Sequence, residues 1–258
     1  MMKTLLLAFL VLAGLCAADI AAAQERSRLD DVIRAGKLRV CTPGDYKPFA
    51  LAKADGTYEG LDVDLVRSAA KALGVQAEFV KTAWPKLMDD FVDKCDIAVG
   101  GISVTSDRAK RAAFSAPYMV NGKAPITRCE NVSRFQTIAD INKPTVTVIT
   151  NPGGSNERFV RANLPNAKVI VHPDNVTIFD EILKGNADVM ISESVETVTQ
   201  QKAHPGLCAV NPDRPLQYGE MAWLLPRGDL AMKEWVDTWL HLAKAGGEYD
   251  RVLAEWTK

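Results

Sequence analysis

Two glutamates, Glu193 and Glu196, follow directly on a short apolar run that ends at Ile191. A carboxyl group in such a position can bind a cation or, when protonated, donate a proton to a leaving group. The local pattern also fits an ordinary helix start, because acidic side chains in a first turn stabilise the positive end of the helix dipole. The choice between the two interpretations depends on what the fold brings next to these carboxyl groups.

Two further stretches combine residue types that bind anions. The sequence NPGGSN, residues 151–156, precedes a predicted helix; it is either a simple turn or a helix start whose free N–H groups bind a carboxylate. Arg108 lies five residues after Ser103, and it is either a solvated helix charge or the guanidinium of a carboxylate-binding fork. The sequence leaves both pairs of alternatives open.

Other kinds of chemistry lack the residues that they require. The three histidines are scattered, no group of His, Cys and carboxylate residues has metal-ligand spacing, and neither a phosphate-binding glycine loop nor a Ser-His-Asp pattern is present. With a formal net charge of −1, the chain also lacks the basic character of a nucleic-acid-binding protein. We therefore expect a small-molecule ligand, with no metal ion, no cofactor and no nucleic acid.

The first 23 residues are predicted to be a cleaved secretory signal peptide. They contain Lys3, an apolar core over residues 5–16 and three alanines at 21–23. This core is too short to span a bilayer comfortably, and no other stretch approaches the roughly 18 apolar residues of a membrane span, so no stable membrane insertion is expected. The mature chain is therefore predicted to be periplasmic.

Four cysteines remain after removal of the signal peptide, and export to an oxidising compartment makes them candidates for disulfide bonds. Four cysteines allow three complete pairings. We favour a bond between Cys129 and Cys208, because both flank the predicted second lobe. Cys41 and Cys95 lie within or beside apolar strands and are interpreted as buried free thiols.

Strand-like and helix-like runs alternate along the mature chain, a pattern typical of parallel sheets covered by helices. Residues 106–114 are predicted to be helical. Residues 116–134 show no clear period and are predicted to be a crossing between lobes, residues 211–220 are predicted to be a polar segment leading back, and the tryptophans of the C-terminal helical stretch are expected to pack in the core. We predict an α/β fold with two lobes, each a mostly parallel sheet covered by helices, and a ligand cleft between them. The predicted extents are 24–126 with 216–258 for a discontinuous first lobe and 127–215 for the second lobe.

In open α/β sheets, ligands bind beyond the carboxyl ends of the strands, so the residues that follow each strand define the predicted site. These positions combine an aromatic wall with charges of both signs. They are Asp45, Tyr46, Trp84, Gly101, Ser103, Thr105, Arg108, Lys123, Asn151, Asn156, Glu193 and Glu196.

The mature chain resembles the amino-acid-binding proteins of extracellular solute-binding family 3, which have a two-lobed periplasmic-binding-protein fold of type II. The stretches that carry the resemblance are GKLRVCTPGDYKPF, YEGLDVDLVRSAAKALG, DIAVGGISVTSDR and the C-terminal Trp-containing helix. The resemblance implies that Ser103, Arg108 and backbone groups near Gly101 bind a ligand carboxylate. It also implies that Glu193 meets the ligand ammonium group.

Within this family, several stretches are more similar to the periplasmic cyclohexadienyl dehydratases, a catalytic branch. They include TPGDYKPF, TAWPKLMDDF, NGKAPITRC, the long segment 141–179 and HPGLCAV. This second resemblance implies that Glu196 is a general acid and that Trp84 is an aromatic site residue. The supporting polar residues that it implies are Asp45, Lys123, Asn151 and Asn156.

Two positions depart from the dehydratase pattern, and both bear on the fit of the substrate. Glu193 stands where these enzymes usually carry an aspartate, and Leu61 stands where a phenylalanine is common. The chemistry expected from the resemblance is loss of water and carbon dioxide from prephenate or arogenate, with Lys123 either orienting Glu196 or binding a substrate carboxylate. The alternative is a receptor without catalytic activity that delivers an amino acid to an ABC-type membrane permease.

Overall fold

The alternating runs fold into separate sheets, each covered by helices. The structure is a computed structural model that describes residues 27–258; the predicted signal peptide lies outside the described residues. The strands are β1 (Lys37–Thr42), β2 (Asp45–Tyr46), β3 (Ala50–Ala52), β4 (Tyr58–Glu59), β5 (Gln76–Lys81), β6 (Ile97–Ala98), β7 (Ala113–Phe114), β8 (Met119–Arg128), β9 (Thr147–Thr150), β10 (Lys168–Val171), β11 (Val189–Glu193), β12 (Leu207–Ala209), β13 (Gln217–Met221) and β14 (Leu224–Leu225).

Ten α-helices within residues 27–258 connect and cover these strands. They are α1 (Arg28–Ala35), α2 (Leu61–Ala72), α3 (Leu87–Lys94), α4 (Ser106–Ala109), α5 (Ile138–Ile141), α6 (Ser155–Asn163), α7 (Ile178–Leu183), α8 (Ser194–Ala203), α9 (Leu230–Ala245) and α10 (Glu248–Thr257). Short 3-10 helices span Trp84–Lys86 and Cys129–Arg134. No helix among residues 27–258 is both long enough and apolar enough to cross a membrane.

The first lobe is built on a five-stranded sheet in the order β5-β1-β6-β14-β7, with a small antiparallel sheet, β2-β3-β4, beside it. β1 pairs in parallel with β5 and β6, which brings the residues after these strands to one edge. The main core contains Phe49, Leu61 and Trp223, and Trp223 stacks on Trp239 of α9 with ring centroids 5.6 Å apart. The prediction that the C-terminal tryptophans pack in the core is confirmed.

The second lobe is built on a six-stranded sheet in which β10, β9, β11, β8 and β12 are neighbours and β13 pairs with β8. Consecutive residues of β11 enter two different cores: Val189 and Ile191 pack on one face, whereas Met190 packs on the other. Both faces are therefore covered, which explains why this strand is a continuous apolar run without polar alternation. The two-lobed α/β fold is confirmed, while the lobe boundaries at 126/127 and 215/216 stay a prediction. The expectation that each sheet is mostly parallel is wrong, because β8 pairs antiparallel with three strands of the second lobe and β14 pairs antiparallel with β6 and β7 in the first.

The prediction that residues 116–134 form an irregular crossing is wrong, because most of this segment is strand β8 and a 3-10 helix. All residues of β8 except Val120 and Arg128 are buried, so the strand has no polar face that alternation would reveal. β8 pairs antiparallel with β11, β12 and β13. Its glycine and proline are accommodated inside the sheet, although both residue types usually indicate loops.

Two other predicted elements are also corrected. The helix expected over residues 106–114 ends at Ala109, and the chain then forms strand β7, which pairs with β14. The polar segment 211–220 contains most of strand β13, whose partner is β8. In both cases, pairing with a distant strand decides the structure, and the local sequence does not show that pairing.

The described part of the chain contains two disulfide bonds, Cys129–Cys208 and Cys41–Cys95. The first confirms the predicted pair, which joins the end of β8 to β12. The second corrects the interpretation of Cys41 and Cys95 as free thiols. Because β1 and β6 are parallel neighbours, Cys41 in β1 lies next to Cys95, two residues before β6, despite a sequence separation of 54.

Candidate active site

A buried ion pair between Lys123 and Glu193 forms the centre of the site. The register of β8 and β11 places the two residues directly opposite each other, and Lys123 Nζ lies 2.6 Å from Glu193 Oε1. The Lys123 ammonium also donates to Ser155 Oγ at 2.9 Å and to Asn156 Oδ1 at 2.6 Å. Three acceptors therefore use all three of its protons. The pKa of Lys123 is lowered by burial, and the neighbouring Glu193 carboxylate opposes part of this decrease.

Ser103 extends this cluster to the first lobe. Its hydroxyl donates to Glu193 Oε1 at 2.7 Å and lies 3.0 Å from Ser155 Oγ, so it connects the two lobes across the cleft. The Ser103 backbone carbonyl accepts a hydrogen bond from Arg108 Nη1 at 2.8 Å. The Ser103 hydroxyl, which was predicted to bind a ligand carboxylate, thus donates its hydrogen bond to the Glu193 carboxylate instead.

Glu196 lies in the first turn of α8, immediately after the strand that carries Glu193, and only 1% of its surface is exposed. Its Oε2 accepts a hydrogen bond from Ser192 Oγ. Burial raises the pKa of Glu196 to about 8, with Asp45 and Glu193 adding to the rise and Ser192 and Lys123 opposing it. A helix N-terminus favours an ionised carboxylate, but the effect of desolvation is larger here, so Glu196 is protonated at neutral pH.

Lys123 pairs directly with Glu193, and its predicted role in orienting Glu196 stays a prediction. It contacts Glu193 and Asn156 equally closely, at 2.6 Å, and within residues 27–258 the hydrogen bonds that lead from it to Glu196 pass through Asn156 and Ser192. The two glutamates consequently have different states: Glu193 is paired with a cation, whereas Glu196 is buried next to hydroxyl and amide groups.

A small cavity of about 20 Å³ lies between the lobes beside this cluster, with room for about one water molecule. It is much smaller than an amino acid, so a ligand enters only when the lobes separate. Three buried polar atoms on lining residues have no hydrogen-bond partner: the Tyr46 hydroxyl and the Oδ1 atoms of Asn151 and Asn175. The residues that line the cavity are Tyr46, Trp84, Gly101, Ser103, Asn151, Gly154, Ser155, Asn156 and Asn175.

Asp45 and Trp84 form one wall of the cleft. The Trp84 indole N–H donates to Asp45 Oδ1 at 2.9 Å, which fixes the ring, and the Tyr46 ring packs edge-on against Trp84 at 5.7 Å between centroids. Burial raises the pKa of Asp45, and the hydrogen bond from Trp84 opposes this rise. The wall can therefore support a flat ring while keeping a carboxyl group near it.

Arg108 lies over the Trp84 ring, with its guanidinium carbon 5.9 Å from the ring centroid. Burial lowers the pKa of Arg108 to about 10, which still leaves it charged at neutral pH. It does not line the 20 Å³ cavity; it lines an adjoining one of about 250 Å³ together with Trp84, Gly153 and Arg158. Separation of the lobes is needed before Arg108 and Ser103 can bind the same carboxylate.

The close packing of the Tyr46 and Phe49 rings around residue 101 requires a glycine there. Its φ is +69°, and an added Cβ would lie 2.5 Å from the Tyr46 ring and 2.6 Å from the Phe49 ring. Its backbone N–H donates to Asp62 Oδ2 at 2.7 Å, so this group is already paired. Gly101 therefore positions Tyr46 against the cleft, and its N–H is not free for a ligand.

Three cleft residues were not singled out from the sequence, namely Ser155, Asn175 and Ser192. Ser155 lies in residues 151–157, which follow β9, and Ser192 lies near the end of β11. The strand-end rule therefore indicated where these residues lie, but not which residues they contact. Asn175 follows β10 and donates from Nδ2 to the Asp45 carbonyl at 3.1 Å, which connects the lobes. Applying the strand-end rule to β10 as well as to the other strands would have selected Asn175.

We predict that Gly153→Ala weakens closure of the cleft. Gly153 has φ +73°, and its added Cβ would lie 2.6–2.8 Å from atoms of Pro85 in the opposite lobe. Since misplacing reacting groups by about 1 Å can cost roughly 10²-fold in rate, we expect kcat/KM to fall by about tenfold or more. Gly56→Ala is the matched control, because Gly56 has φ +83° with nothing within 4 Å of an added Cβ. Equal activity losses in the two variants would contradict the prediction.

Two lobes that close over a buried polar cleft define a ligand-binding protein of the periplasmic-binding type. Residues 38–258 match the bacterial extracellular solute-binding proteins, family 3, and the chain belongs to this family. It is 48% identical over 251 residues to the cyclohexadienyl dehydratase of Pseudomonas aeruginosa, covering 96% of this chain and 93% of that protein.

Two solved structures extend the comparison. One is an ancestral amino acid-binding protein, a precursor of cyclohexadienyl dehydratase; it has a TM-score of 0.83 and 33% identity, covering 90% of this chain and 100% of that chain. The other is an ancestral cyclohexadienyl dehydratase, with a TM-score of 0.58 and 47% identity, covering 91% of this chain and 98% of that chain. The chain is thus similar to both a binding protein and an enzyme.

Proposed function

We propose that this protein is a periplasmic dehydratase that converts prephenate to phenylpyruvate, arogenate to phenylalanine, or both, with Glu196 as the general acid. The observation that carries the proposal is a buried carboxyl group whose pKa is raised to about 8, located beside a closed cleft. A binding protein has no need of a protonated carboxyl group there. The 48% identity to a cyclohexadienyl dehydratase over nearly the whole chain supports the same reaction.

The reaction requires one proton from the protein. Glu196 transfers its proton to the ring hydroxyl of the substrate, and the C–O bond breaks with its electron pair leaving on the oxygen as water. The bond between the ring and its carboxylate breaks as well; its electron pair enters the ring, which becomes aromatic, and carbon dioxide leaves. Glu196 remains as a carboxylate and regains a proton from solvent. A positioned general acid typically contributes about 10²–10⁴-fold to such a rate.

The remaining charges fit a substrate that carries two carboxylates. Arg108, Ser103 and the amides of residues 151–156 bind the anionic ends when the lobes close around the substrate. Lys123 and Glu193 form a neutral pair until a ligand intervenes. Arogenate carries an ammonium group that can donate hydrogen bonds to Glu193. Asn151 and Asn156 provide uncharged hydrogen-bonding groups beside the ring. The Trp84 and Tyr46 rings form the wall against which the ring packs.

The second candidate is a non-catalytic receptor that delivers an amino acid to an ABC-type permease. The observation that favours it is Glu193, a buried carboxylate at the end of β11 that can meet an ammonium group. The similarity to an ancestral amino acid-binding protein at 33% identity supports it as well. Glu196 then has no chemical role.

A direct assay separates the two candidates. Purified mature protein is mixed with prephenate and, separately, with arogenate, and the aromatic product is followed spectroscopically. A dehydratase gives product with either substrate; no product, together with a large thermal shift from a proteinogenic amino acid, would establish the receptor.

We also predict the pH dependence of the dehydratase. Because the acid form of Glu196 is the active form, kcat/KM should fall about tenfold per pH unit as the pH rises above a value near 8, the raised pKa of this group. The measurement is a profile of initial rates from about pH 5 to about pH 10, a range that extends to both sides of the raised pKa. If the rate instead falls in the pH range where ordinary carboxyl groups titrate, Glu196 is ionised in the working enzyme.

A further inference from the structure

A continuous row of hydrogen bonds leads from Lys123 to Glu196. Lys123 Nζ donates to Asn156 Oδ1 at 2.6 Å, Asn156 Nδ2 contacts Ser192 Oγ at 3.2 Å, and Ser192 Oγ contacts Glu196 Oε2. All four side chains are buried. Ser192 is not needed for the proton transfer as described above, although it is the residue that touches the proposed acid.

The direction of each bond in this row follows from its first member. An ammonium group only donates, so Lys123 requires the oxygen of the Asn156 side chain to face it. The amide nitrogen of Asn156 then faces Ser192, and since this nitrogen only donates, the Ser192 oxygen must accept. The hydroxyl hydrogen of Ser192 points away from Asn156, toward Glu196 Oε2.

This direction decides which oxygen of Glu196 carries the acid proton. Oε2 accepts from Ser192, and an oxygen that accepts in this way is disfavoured as the site of the proton. Oε1 receives no hydrogen bond from any of residues 27–258. The proton is therefore placed on Oε1, the oxygen that has no hydrogen-bond partner among residues 27–258.

We propose that Ser192 is a positioning residue which, oriented by Lys123 through Asn156, holds the transferable proton of Glu196 on Oε1. This inference rests on the proposed dehydratase function and adds to it a role for Ser192 and an indirect role for Lys123 and Asn156. None of the three residues needs to touch the leaving hydroxyl group. The row orients the acid before the substrate arrives, so no reorganisation is needed at the moment of proton transfer.

Several ionisable groups face Glu196 besides this row. They come from the three elements that surround it: Asp45 and Tyr46 from β2, Lys123 from β8 and Glu193 from β11. Asp45, Lys123 and Glu193 keep their own contacts when only the Ser192 hydroxyl is removed, whereas Tyr46 also interacts with that hydroxyl. A change in the titration of Glu196 in such a variant therefore reports on Ser192 together with its contact to Tyr46.

The test is Ser192→Ala, compared with Ser192→Thr, which restores a hydroxyl at the same position. A donor that stabilises the carboxylate lowers its pKa, so we expect the alanine variant to shift the alkaline limb of kcat/KM upward by roughly half a pH unit. We also expect its rate at neutral pH to fall about twofold, because the proton then divides between two oxygens. The threonine variant should recover both. A loss of activity without movement of the limb, or with a downward shift, would overturn the inference, since a downward shift means that Glu196 donates to Ser192.

Two further measurements keep this test separate from the proposed function and from simple damage to the fold. Thr199→Ala removes a hydroxyl from the same helix, where it donates to the Val195 carbonyl at 2.9 Å outside the cleft, and it should leave the pH profile unchanged. A ¹³C NMR titration of the Glu196 side-chain carboxyl, assigned with Glu196→Gln, follows the same shift without substrate. Absence of turnover in the wild type overturns the dehydratase, whereas an unchanged titration in Ser192→Ala overturns only the positioning role.

Discussion

Glu196→Gln is expected to lower kcat for prephenate and arogenate by about 10²–10⁴-fold, because the amide has nearly the same shape but no transferable proton. The amide oxygen can still accept from Ser192, so the contacts around the side chain are retained. Binding of a substrate or product, measured by thermal shift or calorimetry, should therefore persist. Initial rates at pH 7 with both substrates provide the measurement.

The same substitution is expected to increase the stability of the protein, although it lowers the activity. The pKa of Glu196 is raised from 4.5 to about 8 in the folded protein, so between these values the folded state holds a proton that the unfolded state has lost. The unfolding free energy of the wild type therefore decreases as pH rises through this window, by up to about 5 kcal/mol at 1.36 kcal/mol per unit. Glutamine does not titrate, and its advantage over the wild type should grow from pH 4.5 to 8 and then level off.

Glu181→Gln is a suitable control for both effects, since it removes a half-buried carboxylate that pairs with the exposed Lys184 three residues further along the chain. Its rate should equal that of the wild type, and its stability difference should not grow with pH in this window. An active Glu196→Gln enzyme would eliminate Glu196 as the acid. A stability difference that stays constant from pH 5 to 8 would show that the Glu196 pKa is not raised.

The general arrangement of the site was predictable because the fold concentrates strand ends at one edge. Trp84 and Ser103 follow first-lobe strands, Asn151 follows β9, and Glu193 ends β11, and a simple rule about parallel strands selects all of them. Alternation of apolar runs with helical periods was also enough to predict two α/β units. These signals are local, so they survive without any knowledge of which strands pair.

What the sequence did not show depends on pairing between distant segments. β8 is buried on nearly all sides and contains proline and glycine, so it lacks both the alternation and the composition of a typical strand. Its register with β11 creates the Lys123–Glu193 pair, which the sequence alone did not reveal. The Cys41–Cys95 bond likewise depends on the parallel pairing of β1 with β6.

Lys123→Met is expected to destabilise the protein by about 3–5 kcal/mol, because it leaves the Glu193 carboxylate buried without its cation. Only 6% of Lys123 and 3% of Glu193 is exposed, so water cannot replace the lost partner while the cleft is closed. The unfolding free energy at pH 7, measured by urea denaturation, tests this. Lys94→Met is the matched control: Lys94 pairs with Asp90 on the surface, and its loss should cost under about 1 kcal/mol.

A double variant distinguishes an unpaired charge from a general loss of packing. Glu193→Gln removes the negative charge and keeps an oxygen that can accept from Ser103, so Lys123→Met with Glu193→Gln should be more stable than Lys123→Met alone. We expect the two substitutions to be non-additive by roughly 1–3 kcal/mol, as is usual for residues in direct contact. Strict additivity would mean that the two side chains are separated and hydrated in solution. A large coupling instead indicates that the Lys123–Glu193 ion pair, formed between the neighbouring strands β8 and β11, persists in the unliganded protein.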